Sequence, residues 1–530
     1  MQNILQQATG FFILIPLLAF LLTLFWKNKQ ERPIARIVQF TKAFYLVATI
    51  IYGVAWVAYG MSPVSYKLIN LYQTDHFVFA IQFYYDQITA VYSLVGSILF
   101  FLVATFSRYY MHRDEGYKRF FNTILFFALG YNIIIFSGNF ETLFIGWEII
   151  GLSSFLLIAF YRNRYLPVKN AFKTLSNYRI SDVALILAMW MMHHLTQQNI
   201  SFTQLNEANG IALQDNHHYM AVFIVIMIVL SATIKSAQLP FTSWLPRSME
   251  GPTTSSAIFY GSLSVHIGVF LLLRTWPFWA DMLWARILII TIGLATGIVA
   301  TLIARVQSTV KTQIAYASAA QIGIIFIEVA LGWHILALIH FGGNAFLRTY
   351  QLLVSPSVLN YLVHHQYFHY HAAKAKPLSA WHASRFVLGV KEWNLDSIMK
   401  RFAWDPFKWI GKRFLFLGSK GVIAIVLLLA LISLSVSVIK PSFTGDQATL
   451  TATTMLVIAL ALTLFTFSYR GSAIKAWMYL LLAHLFIIAG IGINATHIYI
   501  AEVIFYTSGI VIAFTAGLVF LLQTKRMDDK

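Results

Sequence analysis

Glu148, in LFIGWEIIGLSSFLLIAF, and Lys235, in MAVFIVIMIVLSATIKSAQLP, are ionisable side chains inside stretches otherwise apolar enough to cross a bilayer. A charge at the centre of a spanning helix costs roughly 3 kcal/mol or more, so such residues are candidates for ion or proton handling by default. Lys235 is followed by Pro240 and Pro246. Proline removes a backbone donor and clashes with the preceding turn, so the helix must break near Pro240. At membrane depth a break is tolerated only where protein or a water-lined cavity satisfies the freed carbonyls, a setting that recurs at transporter ion sites. An amine beside such a break can exchange a proton, and a nearby glutamate would hold it charged. Glu148 and Lys235 are therefore expected to form a switchable acid–base couple. The plainer alternatives are a Glu148 that hydrogen-bonds between helices and a Lys235 that snorkels to the surface.

Further along lie His266 in YGSLSVHIGVF, Lys311 in VQSTVKTQIAYASAAQIG, and His340 and Arg348 in ALIHFGGNAFLRTYQLL. Histidine titrates near neutrality, which suits a relay, although an isolated buried histidine also serves as a plain hydrogen-bonder. Lys311 stands near a helix start, so an interfacial role competes with a functional one. Arg348, eight residues from His340, shares its helix face. It does not release protons, so its role is electrostatic. Arg179 and Asp182, in NYRISDVAL, are spaced to pair along one helical turn and tune or brace the site. His365 and His369 in HHQYFHYH have an i, i+4 spacing, but no carboxylate or cysteine accompanies them, so packing is expected over metal binding.

The elements that must carry these residues are membrane helices. The chain has 530 residues, 58% hydrophobic and 11% charged, with mean hydropathy +0.69; soluble domains are about 25% charged. The net charge of +18 would point to nucleic acid in a soluble protein. Here Lys and Arg fall mostly in short segments between apolar runs, which makes them topology signals and speaks against a nucleic-acid partner. There is no cysteine, which excludes disulfides, thiolate zinc sites and iron–sulfur clusters within this chain. No phosphate loop, dinucleotide fingerprint or Ser/His/Asp arrangement is visible, so neither ATP-driven transport nor enzymatic chemistry is expected here. The N-terminal segment lacks a basic leader and a cleavage site, and reads as a first span.

About fifteen spans are expected from apolar runs of membrane-crossing length, the last four after residue 418. Basic loops such as RYYMHRDEGYKR and RVQSTVK alternate with poorly basic ones such as TQLNEANGIALQDNHH. The positive-inside rule then puts the N-terminus outside and the C-terminus in the cytoplasm of a bacterial inner membrane. We divide the chain into N-terminal helices (1–119), a stretch containing the broken helix (120–274), a following helical stretch (284–363), a polar insertion (364–418) and C-terminal helices (419–530). Within the insertion, LDSIMKRFAWDPFKWIGKRFLF mixes basic and aromatic residues at helical spacing, interrupted by Pro406. It reads as a helix lying at the interface, and its Lys400, Arg401, Lys408 and Lys412 are candidates for docking a partner.

FYYDQITAVYSLVGSILFFLVATFSRYYMHRDEGYKRFF, LFIGWEIIGLSSFLLIAFY, RISD, IKSAQLPFTSWLPRSMEGPTTSSA and TQIAYASAAQIG together resemble the antiporter-like membrane subunits of complex I and of multisubunit sodium/proton antiporters. The resemblance implies two inverted five-helix repeats, each around a broken helix, and assigns Glu148, Lys235 and Lys311 to a proton path. Tyr260 stands where complex I subunits usually carry histidine, Asn344 and Arg348 replace a histidine and a lysine, and a second broken helix with its lysine has no counterpart. These departures look closer to the membrane subunit of two-component bacterial inorganic-carbon accumulation complexes. That likeness implies a large zinc-binding, carbonic-anhydrase-like partner on the cytoplasmic side, with proton-motive force driving CO2 hydration to bicarbonate there and no cofactor in this chain. The alternative is a sodium/proton antiporter or complex I-type pumping subunit.

Overall fold

The computed structural model describes residues 2–27, 30–73, 78–369, 379–439, 445–469, 471–494 and 500–528. The chain forms two compact units, Met1–Leu395 and Asp396–Lys530, so the expected 364–418 insertion is divided between them. The molecule is a polytopic helical membrane protein. Twelve helices among the described residues are long and apolar enough to cross a bilayer, eight in the first unit and four in the second. Tyr117–Ile135, Tyr165–Thr196 and His334–Phe368 occupy three further expected spans but are more polar. His334–Phe368 runs on into the polar insertion, expected to begin at 364.

Burial sorts the helices of the first unit. The apolar window of Thr253–Trp279 is buried throughout, whereas only 28% of that of Leu283–Ala304 is. Close approach is permitted by paired glycines. A Cβ on Gly146 would strike the carbonyl of Gly130, and one on Gly323 the carbonyl of Gly293. Tyr117–Ile135 therefore lies against Phe140–Ile158, and Leu283–Ala304 against Val310–Ala330, backbone to backbone; small residues serve this purpose in membranes, where burial in lipid gives no drive to associate.

A two-stranded antiparallel hairpin, β1 (Val64–Gln73) and β2 (Val78–Tyr85), was not expected. Its signal was legible: SYKLINLY and VFAIQFYY are rich in β-branched and aromatic residues. Asp86 closes β2 and caps the next helix, its Oδ1 accepting from Thr89 N at 2.9 Å. Its carboxylate also receives Arg274 Nη1 at 2.7 Å, fastening that helix to Ile267–Trp279.

The second unit packs Val426, Ala430, Phe465, Tyr479 and Phe486 into its core. The basic–aromatic segment forms Leu395–Met399, a wide π-type turn at Lys400–Trp404, and the helix Asp405–Arg413. Pro406 does not interrupt this last helix; it sits in the first turn, where its missing N–H is not needed. Gly411 fits against the Leu464 carbonyl, and Phe402 and Trp409 stay exposed.

Candidate functional site

The helix His218–Lys235 ends at the lysine by its own chemistry rather than at the proline. Ala237 adopts a left-handed φ of 51°. Its N–H donates to the Ile234 carbonyl at 3.2 Å, and that of Gln238 to Thr233 at 2.8 Å, closing the helix in the manner usually given to glycine. Residues 236–243, including Pro240, are non-helical, and a short helix resumes at Trp244–Arg247. The loose backbone is satisfied from around: Trp244 Nε1 donates to Ile234 O at 3.0 Å, Leu239 N to Thr296 Oγ1 at 2.9 Å, and Gln238 Nε2 to Ala319 O at 3.2 Å.

Lys235 does not snorkel. It is fully buried, with Nζ 4.3 Å from the Tyr178 ring centre and 4.8 Å from that of Trp147, and it donates to the Trp147 carbonyl at 3.3 Å. Among the described residues it forms no ion pair. The expected direct couple with Glu148 is absent because Arg179 has claimed the glutamate. Arg179 Nη2 lies 2.6 Å from Glu148 Oε2 and 2.8 Å from Asp182 Oδ2, so one nitrogen serves two carboxylates. Asp182 is buried, while Arg179 and Glu148 remain half-exposed on the flank of the unit. Gly151 separates the two groups: a Cβ there would stand 3.7 Å from Arg179 Nη2 and 3.8 Å from Lys235 Nζ. Asn139 fixes the start of the Glu148 helix by accepting from Thr142 N at 3.0 Å. The arrangement can hold a proton on the amine and change its field by moving one guanidinium, with the Trp147 carbonyl and two aromatic faces supplying further partial negative charge.

Beyond the break, Thr253–Trp279 widens into a π-turn at Ala257–Ser262 and tightens at Ser264–His266, irregularities that often mark functional positions. Tyr260 is buried and donates to the Ser154 carbonyl at 3.1 Å, on the Glu148 helix. His266 Nδ1 contacts the Ser262 carbonyl, and Nε2 lies 3.1 Å from Asn344 Nδ2. Asn344 Oδ1 receives Arg348 Nε at 3.1 Å, and Arg348 also donates to Gln351 Oε1 at 2.7 Å. His340 joins a different group, Glu328 and Gln321, at 2.8 and 3.0 Å. Arg348 and Gln321 line one cleft of about 380 Å³ with Arg305, Gln313 and Gln351.

Lys311 is half-buried in the first turn of Val310–Ala330, where it reaches the Met249 carbonyl at 3.4 Å rather than the Lys235 group. Lys400, Arg401 and Lys412 are exposed and Lys408 partly so. The rings of His365 and His369 lie 4.9 Å apart. Among the described residues, four buried ionisable ones escaped the sequence reading: Glu328, Lys42, Glu141 and Arg274. Glu328 lay in view in IIFIEVA. Lys42, whose Nζ stands 4.1 Å over the Phe100 ring, lies well inside the helix Glu31–Ala58.

Residues 137–384 match the family described as NADH:quinone oxidoreductase/Mrp antiporter, transmembrane. Residues 71–121 match the one described as the N-terminus of NADH-ubiquinone oxidoreductase (complex I) chain 5. NADH-ubiquinone oxidoreductase chain 5 of Rhizopus stolonifer is 32% identical over 299 residues, 56% of this chain and 45% of that one. Its counterpart in Paracentrotus lividus is 32% identical over 303 residues, 56% and 46% of the two chains. The chain thus spans less than half the length of these relatives. In fold it is similar to a chain of the Mrp complex from Dietzia sp. DQ12-45-1b, with TM-score 0.56 and 20% identity, covering 94% of this chain and 46% of that one. The first of these matches takes in every element around Lys235; in sequence and fold the chain is similar to the antiporter-like membrane subunits of the complex I and Mrp type.

Proposed function

We propose that this chain conducts protons as a non-catalytic subunit of a multisubunit membrane complex. The observation that carries the reading is Lys235, a buried amine without an ion-pair partner among the described residues, seated at a helix break one glycine from the Glu148–Arg179–Asp182 cluster. With Arg179 bridging both acids, Glu148 is occupied and the guanidinium offsets part of the acids' pull on Lys235. When Arg179 shifts onto Asp182 alone, Glu148 is free to attract and hold a proton on the amine; the return of Arg179 releases it. His266, Asn344 and Arg348 supply the onward polar chain, and the half-exposed flank of Glu148 is the entry. Lys311 stands at the loop-side end of its helix.

Reconstituted into liposomes, the full chain should pass protons under an imposed potential, and Glu148→Gln and Lys235→Met should each lower that flux at least tenfold. Equal flux in wild type and both variants would end the proposal. Dependence on sodium would favour an antiporter.

A second reading is supported by the departures in this sequence. Asn344 and Arg348 stand where a histidine and a lysine are expected, and the described helices after residue 419 hold no lysine near mid-span. Such a chain suits delivery of protons to a partner rather than onward relay. The partner proposed is a large zinc-binding, carbonic-anhydrase-like subunit on the cytoplasmic face of a bacterial inner membrane, hydrating CO2 to bicarbonate and docking on Lys400, Arg401, Lys408 and Lys412. Co-purification followed by zinc analysis tests it. Reversing those four charges should release the partner, and an undiminished yield of partner would remove the docking surface.

A further inference from the structure

Val310–Ala330 carries a carboxyl that the path just described does not use. Glu328 lies in its last turn with a side chain 9% exposed, and no lysine or arginine pairs with it among the described residues. Oε1 stands 2.8 Å from His340 Nδ1, while Oε2 is buried and meets no donor. The other imidazole nitrogen, Nε2, stands 3.0 Å from Gln321 Oε1.

An imidazole with an oxygen facing each nitrogen constrains where protons sit. With Nε2–H donating to Gln321, Nδ1 meets the carboxyl in one of two forms. Either neutral histidine accepts from protonated Glu328, or imidazolium donates to the carboxylate. The two forms contain the same atoms and the same zero net charge; only one hydrogen moves, breaking O–H as N–H forms. A neutral pair is what an apolar interior accepts, whereas a lone carboxylate there is costly. The pair is also connected to the outside. Gln321, on its far side, lines the polar cleft with Arg305, Gln313 and Arg348, and Gln313, Gln321 and Glu328 stand eight and seven residues apart along one face of a single helix.

We propose that Glu328 and His340 form a second proton-holding pair, which exchanges its proton through the cleft lined by Gln321 and Arg348. This rests on the proton-conducting reading and adds a station to it.

The full chain in liposomes tests it with near-isosteric changes. Glu328→Gln and His340→Gln should each lower proton flux at least tenfold at unchanged thermal stability, and the double variant should be no slower than the slower single. Independently of flux, the purified chain should give either a carboxylic C=O infrared band lost in Glu328→Gln, or imidazolium ring signals in nitrogen-15 spectra lost in His340→Gln. Wild-type flux in Glu328→Gln alongside a dead Lys235→Met overturns the pair and leaves conduction standing. If wild type and Lys235→Met conduct alike, conduction falls, and the spectra alone decide whether the pair holds a proton; absence of both signals overturns it.

Discussion

In the proposed conduction, Lys235 and Arg179 divide the work that a direct lysine–glutamate couple was expected to do. That Glu148, Lys235, His266 and His340 lie within helices among apolar residues was legible, because an ionisable residue in an apolar run stands out whatever the fold. Which of them touch was not. Arg179 sits on a long helix whose register against Phe140–Ile158 is a tertiary matter, so its capture of Glu148 at 2.6 Å left no trace in spacing. The near-isolation of Lys235 makes a sharp prediction. Because no ion pair is broken, Lys235→Met should leave stability unchanged or raise it by about 1–3 kcal/mol in thermal unfolding, while proton flux is lost. A residue kept for structure would show the reverse. Arg179→Gln, by contrast, leaves two carboxylates facing each other and should lower stability by about 1 kcal/mol, discounted for its exposure.

Among the elements, the break was legible from two prolines, yet the helix stops earlier, at a left-handed Ala237 that no propensity scale flags. Prolines act through sterics that any reader can apply; a left-handed alanine depends on the surrounding donors that make it affordable. The glycine contacts were hidden for the same reason, since Gly130 and Gly146 mean nothing until their helices are apposed. The short helix after the break is tied to the first part of the polar insertion: Arg247 Nη1 meets Glu392 Oε2 at 2.7 Å. Glu392, Trp393 and Asn394 are all held at positive φ near 50°, so this corner is strained as well as charged. Arg247→Glu should cost about 1 kcal/mol and lower flux, and the swap Arg247→Glu with Glu392→Arg should restore most of both. Flux unaffected by the single change would show that the corner has no bearing on the break.

For the whole molecule, composition alone sufficed to class it as a membrane protein, and among the described residues twelve spans of adequate length and apolarity stand where apolar runs predicted them. The hairpin and the division at residue 395 were not anticipated. Sidedness is open to direct test because the chain has no cysteine of its own. Single cysteines placed at Arg113 and at Gln214 should be labelled by an impermeant thiol reagent from opposite faces of sealed vesicles, the first from the cytoplasmic face. Labelling of both from one face would reverse the topology drawn from charge.

Thr253–Trp279 is walled off by protein along its whole apolar length, so lipid cannot be what its backbone meets. Solvent hydrogens reach its amides only if water threads the interior. Deuterium uptake at Ala257–His266, compared with the lipid-facing turns of Leu283–Ala304, is therefore a gauge of internal wetting: faster exchange in the more deeply enclosed helix is the expected result, and equal protection in both would mean a dry centre.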